Sequence, residues 1–265
     1  MQVTSALLAA FAACLATTTV QAGAAAPALT PQFAPGQTYS NVFSILHSLT
    51  ADGYDESARR NGGSADYTVL ASDPQSYRLH VQYRYDGRPR GDGEVRVVDD
   101  GRTNCHQRNG AEDCEPYLDG SGLVYNPLLW GPPPRQLKSG MSWTVTIKPA
   151  WELGGAEGVQ KVTVVSVDAA TGTVVLLREG ESQGLFGEGE TPQRQLTRGG
   201  KEESVTLTAG TAHWRGYTTI VKGVIFSDAL LVTRDDTVRD AAGASAPARE
   251  RWIMLLNAAP FPTLS

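Results

Sequence analysis

The chain has 265 residues, of which 41% are hydrophobic and 19% charged, a balance that argues against a disordered or fibrous protein. Its formal charge is −5, and phosphate binding needs a surplus of Lys and Arg, so no nucleic-acid partner is expected. Gly 28 and Pro 15 forecast many turns, without the fixed glycine period of collagen.

Residues Met1 to Ala26 carry no charged side chain, and Ala6 to Leu15 form a short apolar run. Small residues follow at Val20-Gln21-Ala22 and at Ala24-Ala25-Ala26. This is the shape of a secretory signal peptide over residues 1–22, although no Lys or Arg precedes the apolar run. Cleavage after Ala22 is preferred, because cleavage after Ala26 would put Pro27 at the scissile bond. The run is too short to cross a bilayer, so no transmembrane anchor is expected in the mature chain. Phe11-Ala12-Ala13-Cys14 resembles a bacterial lipoprotein cleavage box, which would make Cys14 a lipid anchor. The run before it is short and Phe is unusual there, so the reading is a soluble product with Cys14 discarded. Residues 23–265 are then a single exported β domain, periplasmic or extracellular.

Strands are expected at Tyr39–Leu49, Ala65–Ala71, Ser76–Asp86, Glu94–Val98 and Arg102–His106. The third is the clearest. Tyr77, Leu79, Val81, Tyr83 and Tyr85 share one face, and Arg78, His80, Gln82, Arg84 and Asp86 share the other. Tyr77 to Tyr85 would span about 30 Å, which suits a broad, curved sheet. Asp52-Gly53, Asn61-Gly62, Asp86-Gly87, Asp92-Gly93, Asp100-Gly101, Asn109-Gly110 and Asp119-Gly120 are turn dipeptides, and their density predicts sequential hairpins.

With Cys14 removed, Cys105 and Cys114 remain, flanking Asn109-Gly110. An even pair in an exported chain is read as a disulfide. Closing so short a loop contributes roughly 2.7 kcal/mol. A metal site from Cys105, His106, Asp113 and Cys114 fits poorly, because adjacent side chains on a strand point to opposite faces.

Residues 126–140 include Pro132-Pro133-Pro134, which forbids a central strand and predicts a connector between two β halves. This stretch, followed by Leu137-Lys138-Ser139-Gly140-Met141-Ser142-Trp143, resembles connectors in exported open β-barrel proteins of bacterial envelopes. No functional residue is carried over from that resemblance. Strands resume at Ser142–Lys148, Val159–Asp168, Thr173–Arg178, Ser204–Ala209, Thr211–Phe226, Leu230–Val238 and Ala248–Leu256. Residues 179–201 read as a mobile loop and 240–248 as a long hairpin tip. The fold class is all-β, a mostly antiparallel meander forming a sandwich or an open half barrel.

The chain lacks Gly-x-Ser-x-Gly, His-Glu-x-x-His, Cys-x-x-Cys, P-loop and dinucleotide motifs. His47, His80, His106 and His213 are dispersed, and read as structural or solvated. Glu112, Asp113, Glu115 and Asp119 do not match a calcium loop and read as an acidic tip. Arg90-Gly91-Asp92 spells an adhesion tripeptide of low specificity. No cofactor or metal site is expected. The aromatic residues Tyr77, Tyr83, Tyr85, Trp143 and Trp214 are the candidate binding residues. The leading expectation is a non-enzymatic envelope protein holding a small apolar ligand, a lipid or an acyl chain. A secreted hydrolase with a dispersed site and a structural or adhesive envelope protein are the alternatives.

Overall fold

The computed structural model describes residues 28–73, 76–98, 103–108, 111–115, 124–147, 157–183 and 192–259. The expected signal peptide, with Cys14, lies outside them. The first half runs β1 (Thr38–Ala51), β2 (Ser57–Asp73), β3 (Ser76–Tyr85), β4 (Arg88–Val98), β5 (Thr103–Arg108) and β6 (Ala111–Glu115). The second runs β7 (Ser142–Ile147), β8 (Gly158–Asp168), β9 (Thr173–Gln183), β10 (Gln193–Arg198), β11 (Lys201–Thr208), β12 (Thr211–Val221), β13 (Val224–Arg239) and β14 (Ser245–Ala259). Among the described residues there is no α-helix, only a single 3-10 turn at Pro127–Leu129, and no helix is long and apolar enough to cross a membrane.

The strands join in one antiparallel sheet in the order β6-β5-β4-β3-β2-β1-β14-β13-β12-β9-β8-β7. β10 and β11 form a hairpin off this path, attached where β11 pairs with the end of β13. The sheet is open and mostly a meander, which selects the open arrangement over the sandwich.

Register explains why one face is buried. Side chains alternate along a strand, so cross-strand partners share a face. Tyr85, Gly63, Phe43, Leu256, Asp228, Thr218, Leu176 and Val164 form one such row, running from β3 to β8. The next rows along β1 start at Ile45, opposite Met254, and His47, opposite Trp252. Tyr77, Leu79, Val81, Tyr83 and Tyr85 all lie on this inner face, as their spacing predicts.

The sheet curls around two segments of its own chain. Leu29, Phe33, Val124, Tyr125 and Trp130 are buried in one cluster with Leu79 and Val95 from the first half and Val162 and Leu176 from the second. Tyr77 of β3 meets Tyr125 at 6.1 Å, and Tyr125 meets Trp130 at 6.2 Å. Trp143 of β7 then donates its indole N–H to the Trp130 carbonyl at 2.6 Å. Opposite halves of the sheet are thus linked through the proline-rich segment.

Several sequence expectations need correction. Asn61-Gly62 and Asp92-Gly93 lie inside strands, not in turns. The predicted strand Thr211–Phe226 is two strands, broken at Lys222-Gly223, which has positive φ at both residues. Within the stretch read as a mobile loop, β9 continues to Gln183 and β10 forms a strand. The tip between β13 and β14 is shorter than expected.

Candidate functional site

The inner face divides into two covered ends and a partly open middle. At one end the N-terminal segment and the connector fill the curve. Tyr77 donates its hydroxyl to the Pro31 carbonyl at 3.2 Å, and Phe33 meets its ring edge-on at 4.8 Å. Trp214 donates its indole N–H to Gln160 Oε1 at 2.9 Å, and Gln160 Nε2 donates to the Leu129 carbonyl at 2.5 Å. That relay ties the connector to β8 and β12 at the flank of the middle, because Trp214 shares the cross-strand row of Val232, Trp252 and His47. At the other end, Leu196, Val205 and Leu207 of the β10–β11 hairpin pack on Leu49, Ala51, Val238 and Ala248.

Between these covers, Ile45, Tyr83, Tyr85, Trp252 and Met254 are half-buried on the inner face. Tyr83 stacks on Phe43 at 6.0 Å, with Tyr85 tilted against the same ring at 6.0 Å. The Phe43 ring occupies the space above Gly63, where a Cβ would collide with it. His47 stacks on Trp252 at 4.3 Å. The result is a trough with an aromatic and aliphatic floor running along β1 and β14.

Of the candidate binding residues, Tyr83 and Tyr85 lie in this trough. Tyr77 is buried beneath the N-terminal segment. Trp214 is buried, and Trp143 is half-buried with its N–H committed to the connector. These last three therefore meet the chain's own residues. Trp252, one of the aromatic residues the sequence offers as a possible ligand lining, and Met254 belong to the trough but are not among those five candidates; their period-two spacing on the strand Ala248–Leu256 is the signal that would have placed them there. The side chains of Cys105 and Cys114 are outside the described residues, although their strands β5 and β6 do pair.

The same face holds buried charge. Arg178, with no exposed surface, pairs with Asp228 at 2.7 Å. Arg234 pairs with Asp236 at 2.9 Å and with Glu250 at 2.5 Å. His47 Nε2 reaches Glu250 at 2.7 Å, and Arg194 of β10 lies 4.0 Å away. Burial alone would raise the Glu250 carboxyl. The His47 hydrogen bond and the charges of Arg234, His47 and Arg194 together overcome it and hold Glu250 below its ordinary value. Asp236 goes the other way: burial dominates and raises it, despite the Gly210 N–H and Arg234. Among the described residues, no cluster of His, Cys, Asp and Glu could hold a metal ion.

A cleft of about 450 Å³ opens at the β12–β13 turn, lined by Gln32, Gln37, Tyr39, Asn41, Lys222 and Phe226, among others. Asn41 and Ala258 line it and share the inner face with Phe43 and Leu256. The cleft therefore lies along the same strands as the trough.

No protein-family model and no curated protein matches the sequence. Among solved structures, the chain is similar to a conserved protein of unknown function with a hot dog fold from Alicyclobacillus acidocaldarius, at 9% identity over 88% of this chain and 83% of that one. The TM-score is 0.12, and the likeness carries no argument about fold or function.

Proposed function

We propose that the protein is an exported, non-enzymatic binding protein of a bacterial-type envelope. It holds a small apolar ligand, a lipid or an acyl chain, along the trough on the inner face, in the periplasm or outside the cell. The observation that carries this reading is the half-buried floor of Ile45, Tyr83, Tyr85, Trp252 and Met254 between two covered ends. Apolar surface removed from water contributes about 25 cal/mol per Å², so an apolar chain laid on this floor is held without any charged contact. Tyr hydroxyls suit a boundary that is apolar on one side and wet on the other.

Native mass spectrometry of protein purified from its own envelope tests the reading. A co-purifying lipid, depleted in Tyr83→Ala and Trp252→Ala, supports it. An apo mass, with no uptake of a fluorescent fatty acid, overturns it. The export reading also carries cleavage after Ala22 and a Cys105–Cys114 disulfide. N-terminal sequencing should start at Gly23, and alkylation under denaturing, non-reducing conditions should find neither thiol free. A lipid-bearing Cys14 at the N-terminus would make the protein membrane-anchored instead.

A further inference from the structure

The outer face of the sheet carries an apolar band that the binding reading does not use. Val42 and Leu46 on β1, Leu255 on β14, Leu231 on β13 and Tyr217 on β12 are each 37% to 45% exposed. Scattered apolar residues are ordinary on a surface, but four of these fall in two adjacent cross-strand rows, with Val42 in the next row between Asn257 and Ser64. Leu46 faces Ile253, which faces Leu231, and Leu255 is joined to Tyr217 through Ala229.

Free cations edge the band. Arg60 is the cross-strand partner of Leu46, Arg84 lies beyond Ser64 from Val42, and Arg251 lies opposite Ser48. Among the described residues none of these three makes an ion pair, in a chain whose formal charge is −5. Nearby acids are already engaged: Glu179 with Arg215 at 3.4 Å, Asp235 with Arg249 at 2.7 Å, and Asp66 with the Ser40 hydroxyl at 2.6 Å.

Size separates two occupants. Four strands about 4.8 Å apart and three rows about 6.8 Å apart give a footprint of roughly 400 Å². A stable protein interface needs about 800 Å² per partner, so a second copy of this chain is poorly served. A lipid surface needs only modest apolar insertion combined with attraction to anionic headgroups. We propose that this outer face docks on a bilayer surface bearing anionic headgroups, with the band set among them and Arg60, Arg84 and Arg251 against their phosphates. The docking is independent of what the inner trough holds.

Co-sedimentation of the full chain with phosphatidylglycerol–phosphatidylethanolamine vesicles tests this, with phosphatidylcholine vesicles as the comparison. Binding should favour the anionic vesicles and weaken as salt is raised. Arg60→Gln and Arg251→Gln should each weaken it about fivefold. Leu231→Ser combined with Leu255→Ser should reduce it at least about tenfold, with the melting midpoint checking the fold. If that double variant unfolds, the arginine variants decide alone. Equal binding to both vesicle types, or binding that ignores the arginine variants, overturns the proposal. So does a concentration-dependent dimer without vesicle binding, which would assign the band to a second copy.

Discussion

Arg178 on β9 donates from Nη2 to both carboxylate oxygens of Asp228 on β13, at 2.7 and 2.8 Å, across the intervening strand β12. Thr218 of β12 completes the clamp. It accepts from Arg178 Nε at 2.8 Å and donates to Asp228 Oδ1 at 2.7 Å. Three strands are thereby fixed in register from their inner face. Removing one partner of a buried pair leaves the other charge uncompensated, which costs about 3–5 kcal/mol. Asp228→Asn should lower stability by that order in urea unfolding. The double variant Arg178→Met, Asp228→Leu should recover most of it, because two apolar residues leave no stranded charge. A single variant as stable as the parent would show that the clamp contributes nothing.

Glu250 gives the fold an acid dependence. Its folded carboxyl lies below its ordinary value, so ionised Glu250 favours folding above the ordinary carboxylate range. That contribution is lost as pH falls through the folded value. Asp236 has the opposite sign. Its folded carboxyl is raised, so its ionised form costs stability, and the cost is relieved as pH falls through the raised value. Glu250→Gln should therefore destabilise by about 3 kcal/mol near neutral pH, with the loss shrinking below about pH 4. Asp236→Asn should steepen acid unfolding, because it removes the offset. Denaturant titrations at several pH values read both, and a pH-independent Glu250→Gln loss would sink the assignment.

The Trp214 ring packs against two glycines. A Cβ at Gly158 would come 2.7 Å from Trp214 Cη2, and one at Gly180 would be closer still to Cζ2. Gly180→Ala should cost about 1–3 kcal/mol through overpacking. It should also push the indole away from Gln160, loosening the hold on the Leu129 carbonyl. Limited proteolysis should then cut faster within residues 124–141. Unchanged stability together with an unchanged cleavage rate would refute the packing argument.

The fold was legible in sequence where local rules and tertiary packing agree. The Tyr77–Tyr85 alternation has one buried face, and Asp86-Gly87 makes the expected turn with positive φ at both residues. Reading failed where one residue type serves two ends. Asn61-Gly62 looks like a turn, yet a Cβ at Gly62 would come 2.8 Å from the Phe43 carbonyl oxygen. Gly62 therefore serves close approach between strands. Lys222-Gly223 makes a primed-type turn although Lys is no turn signal. The inward charges were illegible for another reason: alternation assigns charge to the wet face, and Arg178 finds Asp228 only 50 residues later. The candidate site followed the same divide, with two of the five candidate residues in the trough. Tyr83 and Tyr85 were visible by period, whereas Tyr77 is covered by a segment 46 residues away and Trp143 by the irregular proline-rich connector, whose path no periodicity reveals.

Amide hydrogen exchange should map the openness of the sheet. β1, β13 and β14 each pair along both edges, so their amides have partners throughout and should exchange slowest. β3, flanked by β2 and β4, should be protected across Ser76–Tyr85. Among the described residues β7 pairs with β8 alone, so every second amide of Ser142–Ile147 has no strand partner. Those alternate amides should exchange fast while their neighbours, bonded to β8, are slower. This period-two pattern at the edge distinguishes an open sheet from a closed barrel, where every amide of β7 would be paired. Uniform slow exchange along β7 would mean that its outer edge is covered. Uniformly fast exchange across β1 and β14 would remove the floor on which the trough is built.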